Sequence, residues 1–160
     1  SFSNLRIQMN KDLIFMKKAY EQALLGFDKE EIPVGAVVVY KNEIISEAHN
    51  ESIKKMDPTS HAEIEAIRKA ANKVGNYRIP GAKMYVTLEP CLMCCGALIH
   101  ARFDKVIFST LDKKSGAVVS NGNLLEANFI NHLVKFEQGP LKEESSELLR
   151  KFFKDKRSKD

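Results

Sequence analysis

The sequence predicts an α/β fold, a mixed sheet flanked by helices. Three observations predict it. A stripe of apolar residues near the N-terminus recurs at helical spacing. Two apolar runs flank the short polar stretch Lys41-Asn42-Glu43, which reads as a β-hairpin. A strand-like run then passes through a helical segment into another strand-like run, the order that yields a parallel pair.

Each element follows in order. Residues 12–25 carry Leu13, Ile14, Met16, Ala19, Tyr20, Ala23 and Leu24 on a helical stripe, with Gly26 as the predicted stop. Residues 34–40 and 44–48 are the hairpin strands. A polar loop at 50–59 leads to a helix at 61–74 that stops at Gly75. A strand at 83–88, a helix at 91–101 and a strand at 105–110 form a β-α-β unit, expected to cross over right-handedly. Beyond Gly116 the pattern weakens. Helices are expected at 124–129 and 143–157, with a short strand at 134–137.

Composition narrows the class. At 160 residues the chain is expected to be one domain, 1–160, burying roughly two-thirds of its unfolded surface. Three cysteines, an odd number, and no signal-like start argue against a disulfide-built secreted fold; a reduced cytoplasmic setting is expected. The longest apolar run, 34–40, is too short to cross a bilayer, so no membrane partner is expected. From Arg150 onward the net charge is +4, equal to that of the whole chain. With Leu148, Leu149, Phe152 and Phe153 this segment reads as an amphipathic helix with a cationic end. A solvated tail and a phosphate-contacting helix both fit that composition; beside a nucleobase-type site the second reading is preferred.

Two short runs carry the chemistry: His61-Ala62-Glu63 and Pro90-Cys91-Leu92-Met93-Cys94. Imidazole nitrogen and thiolate sulfur are ligands for a tetrahedral cation such as Zn²⁺, and three protein ligands leave one corner for water. Cys91 and Cys94, at i and i+3, share one face of a first helical turn that Pro90 suits. Two helix N-termini would then face the ion and favour thiolates. Glu63 is left over as the proton shuttle for the metal's water.

Blander readings compete. Ser60 to Glu63 also spells a capping box, in which Glu63 would bond only the Ser60 amide. The two cysteines could be a redox pair. Cys95 could close a four-ligand structural site, although adjacent helix positions diverge by roughly 100° and a buried core thiol suits it better. His49, His100 and His132 lack partner spacing and read as structural.

These motifs, with Thr87-Leu88-Glu89 and Gly96-Ala97, resemble the cytidine-deaminase-like superfamily, whose H-x-E…P-C-x-x-C signature is established. Ile32-Pro33-Val34-Gly35-Ala36, His49-Asn50, His100-Ala101-Arg102, 112–117 and Phe152-Phe153 narrow the resemblance to bacterial tRNA-specific adenosine deaminases, across nearly the whole chain. Cys95 and Ser115 depart from that family's expected Ala and Thr.

The resemblance implies a three-layer α/β/α fold. It also implies one Zn²⁺ per subunit on His61, Cys91 and Cys94, with Glu63 catalytic. Asn50 and the Ala62 N–H would bond the flipped base, and Pro33, Val34 and Leu88 would line its pocket. Asp112 would meet the sugar and flanking nucleotides; Phe152, Phe153 and Arg157 would grip the RNA. Asn50 as a loop cap and Asp112 as a turn former remain as alternatives. The implied reaction converts the wobble adenosine, position 34, of tRNA to inosine, chiefly in an arginine tRNA of bacteria, by a cytoplasmic homodimer holding the anticodon arm. A small-molecule deaminase of the same fold and a non-catalytic zinc-stabilised RNA-binding module are the rivals.

Overall fold

The computed structural model describes residues 1–159. Five strands form one sheet in the order β2-β1-β3-β4-β5. β1 (Gly35–Tyr40) pairs antiparallel with β2 (Glu43–His49) and with β3 (Lys83–Leu88). β3 and β4 (Lys105–Thr110) run parallel, as do β4 and β5 (Lys135–Gln138). The sheet is mixed, as the sequence predicts.

The strands β1, β3 and β4 are buried on both faces, which is why they read as continuous apolar runs. Their alternate residues divide between two cores. Ala36, Val38, Met84, Val86, Val106 and Phe108 pack with residues of α3 (Ala62–Val74) and α4 (Leu92–His100). Val37, Val39, Tyr85 and Ile107 pack on Met16 and Ala19 of α1 (Phe2–Asp28). The result is helix, sheet, helix in three layers. Gly35 permits the close approach of α1: a Cβ there would lie 1.8 Å from the Ala19 carbonyl oxygen.

Lys41 and Asn42 both adopt positive φ, 52° and 64°, so the hairpin closes through a tight turn of left-handed residues. Gly75 caps α3 at φ 79°, as predicted.

Several boundaries differ from expectation. Helix α1 begins ten residues earlier than the apolar stripe, because its first turns expose every side chain and show no buried face. Gly26 does not stop α1; it lies inside the helix beside His49, where a Cβ would meet the His49 Cβ at 3.4 Å. A short helix, α2 (Ser52–Lys55), interrupts the loop expected at 50–59. The helix expected at 124–129 is a single 3₁₀ turn, Leu124–Glu126, whose only buried residue is Leu125. The last helix, α5 (Lys142–Lys159), is slightly longer than the sequence pattern.

This layering sets the site. The parallel strands β3 and β4 end side by side at Leu88 and Thr110, and the N-termini of α3 and α4 converge on the same edge. Crevices at the carboxyl ends of parallel strands are where open α/β sheets hold ligands.

Candidate metal centre and cleft

His61 is the N-cap of α3, and Cys91 is the N-cap of α4 with Cys94 in its first turn. His61 Nδ1 lies 3.6 Å from Cys91 Sγ and 3.6 Å from Cys94 Sγ, and the three ligand atoms lie within 4.8 Å of one another. A tetrahedron with about 2.3 Å to sulfur and about 2.05 Å to nitrogen has an S···N edge of about 3.6 Å. The donor set therefore fits one small tetrahedral cation.

Protonation points the same way. Cys91, hydrogen-bonded by Cys94 and His61, is lowered to about 4. Cys94 is raised, chiefly by that same bond and then by burial. Held together on one cation, both sulfurs would be thiolates. The hydrogen bond to Cys91 raises His61.

The bland alternatives do not match the geometry. Ser60 Oγ donates to Asp57 Oδ2 at 3.0 Å, and His61, not Ser60, caps the helix, so no capping box forms. Cys91 and Cys94 are unbridged, and His61 Nδ1 faces both sulfurs at 3.6 Å, the arrangement of a ligand set. Cys95 is fully buried, contacts the Pro90 carbonyl and lies outside the ligand group; burial pushes its thiol up to about 12.

Glu63, in the first turn of α3, is 4 % exposed and lines the cleft beside His61 and Cys91. Burial, followed by the negative Cys91, raises its carboxyl to about 7. A carboxyl poised near neutrality both takes and gives a proton readily.

The cleft is about 1280 Å³. Val34, Asn50, Ala62, Leu88 and Asp112 all line it, together with Ile32. Ala62 is the first residue of α3, so its N–H belongs to the orphan donors of a helix start. Asn50 sits at the floor, with Oδ1 accepting from Ser52 Oγ at 2.8 Å; the amide nitrogen is not used in that turn. Asp112 Oδ1 accepts from the N–H groups of Lys114 and Ser115, so the turn-forming reading describes one of its oxygens.

Two anticipated residues lie elsewhere. Pro33 is buried and is not part of the cleft wall, where Ile32 and Val34 flank it. Phe152 is 8 % exposed and turns onto α1, its ring 6.3 Å from that of Phe27; it packs rather than faces the cleft. Phe153, 42 % exposed, and Arg157 do line the cleft. The rim is predominantly basic: Lys113, Lys114, Arg150, Lys151, Lys154 and Arg157 outnumber Glu147, which pairs with Arg150 at 2.7 Å, and Asp155.

Two carboxylates that sequence reasoning did not single out organise this cleft. Glu31, 2 % exposed, accepts from the N–H groups of Ile53 and Lys54 and so holds α2 next to Asn50. Glu89, also 2 % exposed, gathers the loop after β4. Burial works against its ionisation, but bonds from Ser120, Val119 and Asp112 win and lower it. Its sequence signal is its place in the Thr87-Leu88-Glu89 run before Pro90, which carries the resemblance but does not name its partners. His49 and His132 bond backbone carbonyls of Asn50 and Phe103, in keeping with structural roles.

Comparison with known proteins agrees with this geometry. The MafB19-like deaminase family matches residues 9–157. A tRNA-specific adenosine deaminase of Aquifex aeolicus is 51 % identical over 88 % of this chain and 92 % of that protein. One from Bacillus subtilis is 40 % identical over 94 % of each. A solved structure from a study of tRNA:A34 deaminases superposes with a TM-score of 0.83 at 36 % identity, covering 85 % of this chain and 99 % of the other. On its sequence, its fold and its cluster of histidine and paired cysteines, the chain belongs to the family of tRNA-specific adenosine deaminases.

Proposed function

We propose that this chain hydrolyses the wobble adenosine, position 34, of a tRNA anticodon loop to inosine, chiefly in an arginine tRNA of bacteria. The observation that carries the reading is a set of three tetrahedrally spaced ligand atoms beside a buried carboxyl, in a cleft rimmed with positive charge. His61, Cys91 and Cys94 hold one Zn²⁺. Zinc, when bound, lowers the pKa of water to about 7 and so supplies the nucleophile.

The remaining work falls to the chain's own residues. Glu63 takes one proton from the attacking water and passes it to the purine ring nitrogen. It then takes the second proton from that same oxygen and delivers it to the amine, which leaves as ammonia. The Asn50 amide and the Ala62 N–H bond the edge of the flipped base, while Val34 and Leu88 exclude water from its faces. Asp112 meets the ribose and flanking nucleotides, where a 2′-OH distinguishes RNA. Phe153 and Arg157, with the lysines of the rim, hold the anticodon arm. A loop base suits such a site because splaying it out costs less than breaking a pair. Pro33 and Phe152 support the wall and the last helix from behind. The working unit is a cytoplasmic homodimer of a single-domain chain.

The test is incubation of zinc-loaded protein with an anticodon stem-loop carrying adenosine-34, read by the mass change of amine-to-oxygen exchange. Guanosine-34 stem-loop, free adenosine and free guanine are parallel substrates. Inosine in the first alone is expected. Turnover of the free purines in preference to the stem-loop would replace this reading with that of a small-molecule deaminase.

A further inference from the structure

Glu89 stands at the end of β3, two residues before the ligand Cys91. Its carboxylate accepts the backbone N–H of Asp112 at 3.0 Å on one oxygen, and those of Val118, Val119 and Ser120 at 3.1, 2.8 and 3.0 Å on the other. The Ser120 hydroxyl donates to the first oxygen as well. No lysine, arginine or histidine pairs with it among the described residues. Compensation for this buried charge therefore comes wholly from one loop in one closed arrangement, and opening that loop strands the carboxylate.

The same loop is fitted to the ligand turn at two further places. Ala117 N–H donates to the Pro90 carbonyl at 2.9 Å, and Cys91 forms a β-bridge with Gly116. Gly116 admits the carboxylate: a Cβ there would lie 2.3 Å from Glu89 Cδ and 2.6 Å from the Asp112 carbonyl oxygen. The loop from Asp112 to Ser120, whose 112–115 part faces the cleft, is thus tied to Glu89 at both ends.

We propose that Glu89 is a positioning residue that fixes the 112–115 wall of the cleft relative to the metal ligands, and so sets how the nucleotides flanking the target base are held. This rests on the deaminase reading above. Gln at this position keeps the shape but offers an N–H₂ to donors and only one accepting oxygen.

For Glu89→Gln, KM for the adenosine-34 stem-loop is expected to rise by about 10-fold or more with kcat within about 3-fold of wild type. Zinc content should be unchanged, and hydrogen exchange at the Val118, Val119 and Ser120 amides should accelerate while β3 and β4 keep their protection. Ser120→Ala removes only the hydroxyl and should move KM and exchange the same way by a smaller factor; it decides the matter if the Gln variant does not fold. Accelerated exchange with an unchanged KM would overturn the proposal. So would kcat falling in step with zinc content, because Glu89 would then support the ligand helix rather than the wall. Failure of the deaminase reading itself is separate: it shows as a wild-type protein inert on every stem-loop.

Discussion

Glu63→Gln is expected to lower inosine formation by at least about 10³-fold while zinc content and melting temperature stay near those of the wild type. Gln keeps the volume and one acceptor but cannot take up a proton. The stability half of this expectation follows from burial. Glu63 is 4 % exposed, and an amide of the same shape fills its place without opening a cavity. A stability-neutral, activity-null variant separates a proton shuttle from a structural residue. If the variant unfolds or releases its zinc, Glu63 is structural, and the non-catalytic RNA-binding rival gains the ground.

The second large effect concerns the basic rim. Removing the C-terminal segment outright is a poor experiment, because Phe152 and Leu148 are each 8 % exposed and belong to the packed interior. Neutralising Arg150, Lys151, Lys154 and Arg157 together to Gln keeps Leu148 and Phe152 in place and gives up only the Lys151 ammonium over the Phe27 ring and the exposed Arg150–Glu147 pair. All four line the cleft. Each neutralised phosphate contributes about 0.7 to 0.9 to the slope of log K against log salt. If two to four phosphates are left without a cationic partner, tRNA affinity at moderate salt should fall by about 10- to 100-fold, and the slope should flatten by about 2 or 3. Activity on a saturating stem-loop should be largely retained, since none of the four touches the metal ligands or Glu63. Unchanged affinity and slope would mean that the RNA is held elsewhere, and would favour a small substrate.

Residue spacing carried the metal centre further than it carried the cleft around it. His61, Cys91 and Cys94 were legible because ligand chemistry restricts both residue type and spacing, and two helix starts give that spacing a geometry. The sheet was legible because strands buried on both faces must be apolar throughout. What spacing could not show was direction. Phe152 and Phe153 are neighbours in a helix, yet one ring packs on Phe27 and the other faces the cleft; only the tertiary position of α5 decides between them. Pro33 was displaced from the wall by the same kind of alternation, at the lead-in to β1. The work of Glu31 and Glu89 was invisible because each serves backbone N–H groups of a segment 20 or more residues away, and backbone donors have no sequence signature. The exposed first turns of α1 lacked a stripe because they bury nothing.

Every step of the proposed chemistry depends on a cation at His61, Cys91 and Cys94. Elemental analysis of folded, catalytically competent protein is therefore the most direct measurement. One zinc ion per chain is expected, with inosine formation lost on chelation and regained when zinc is restored. Fully active protein containing no stoichiometric transition metal would contradict the account.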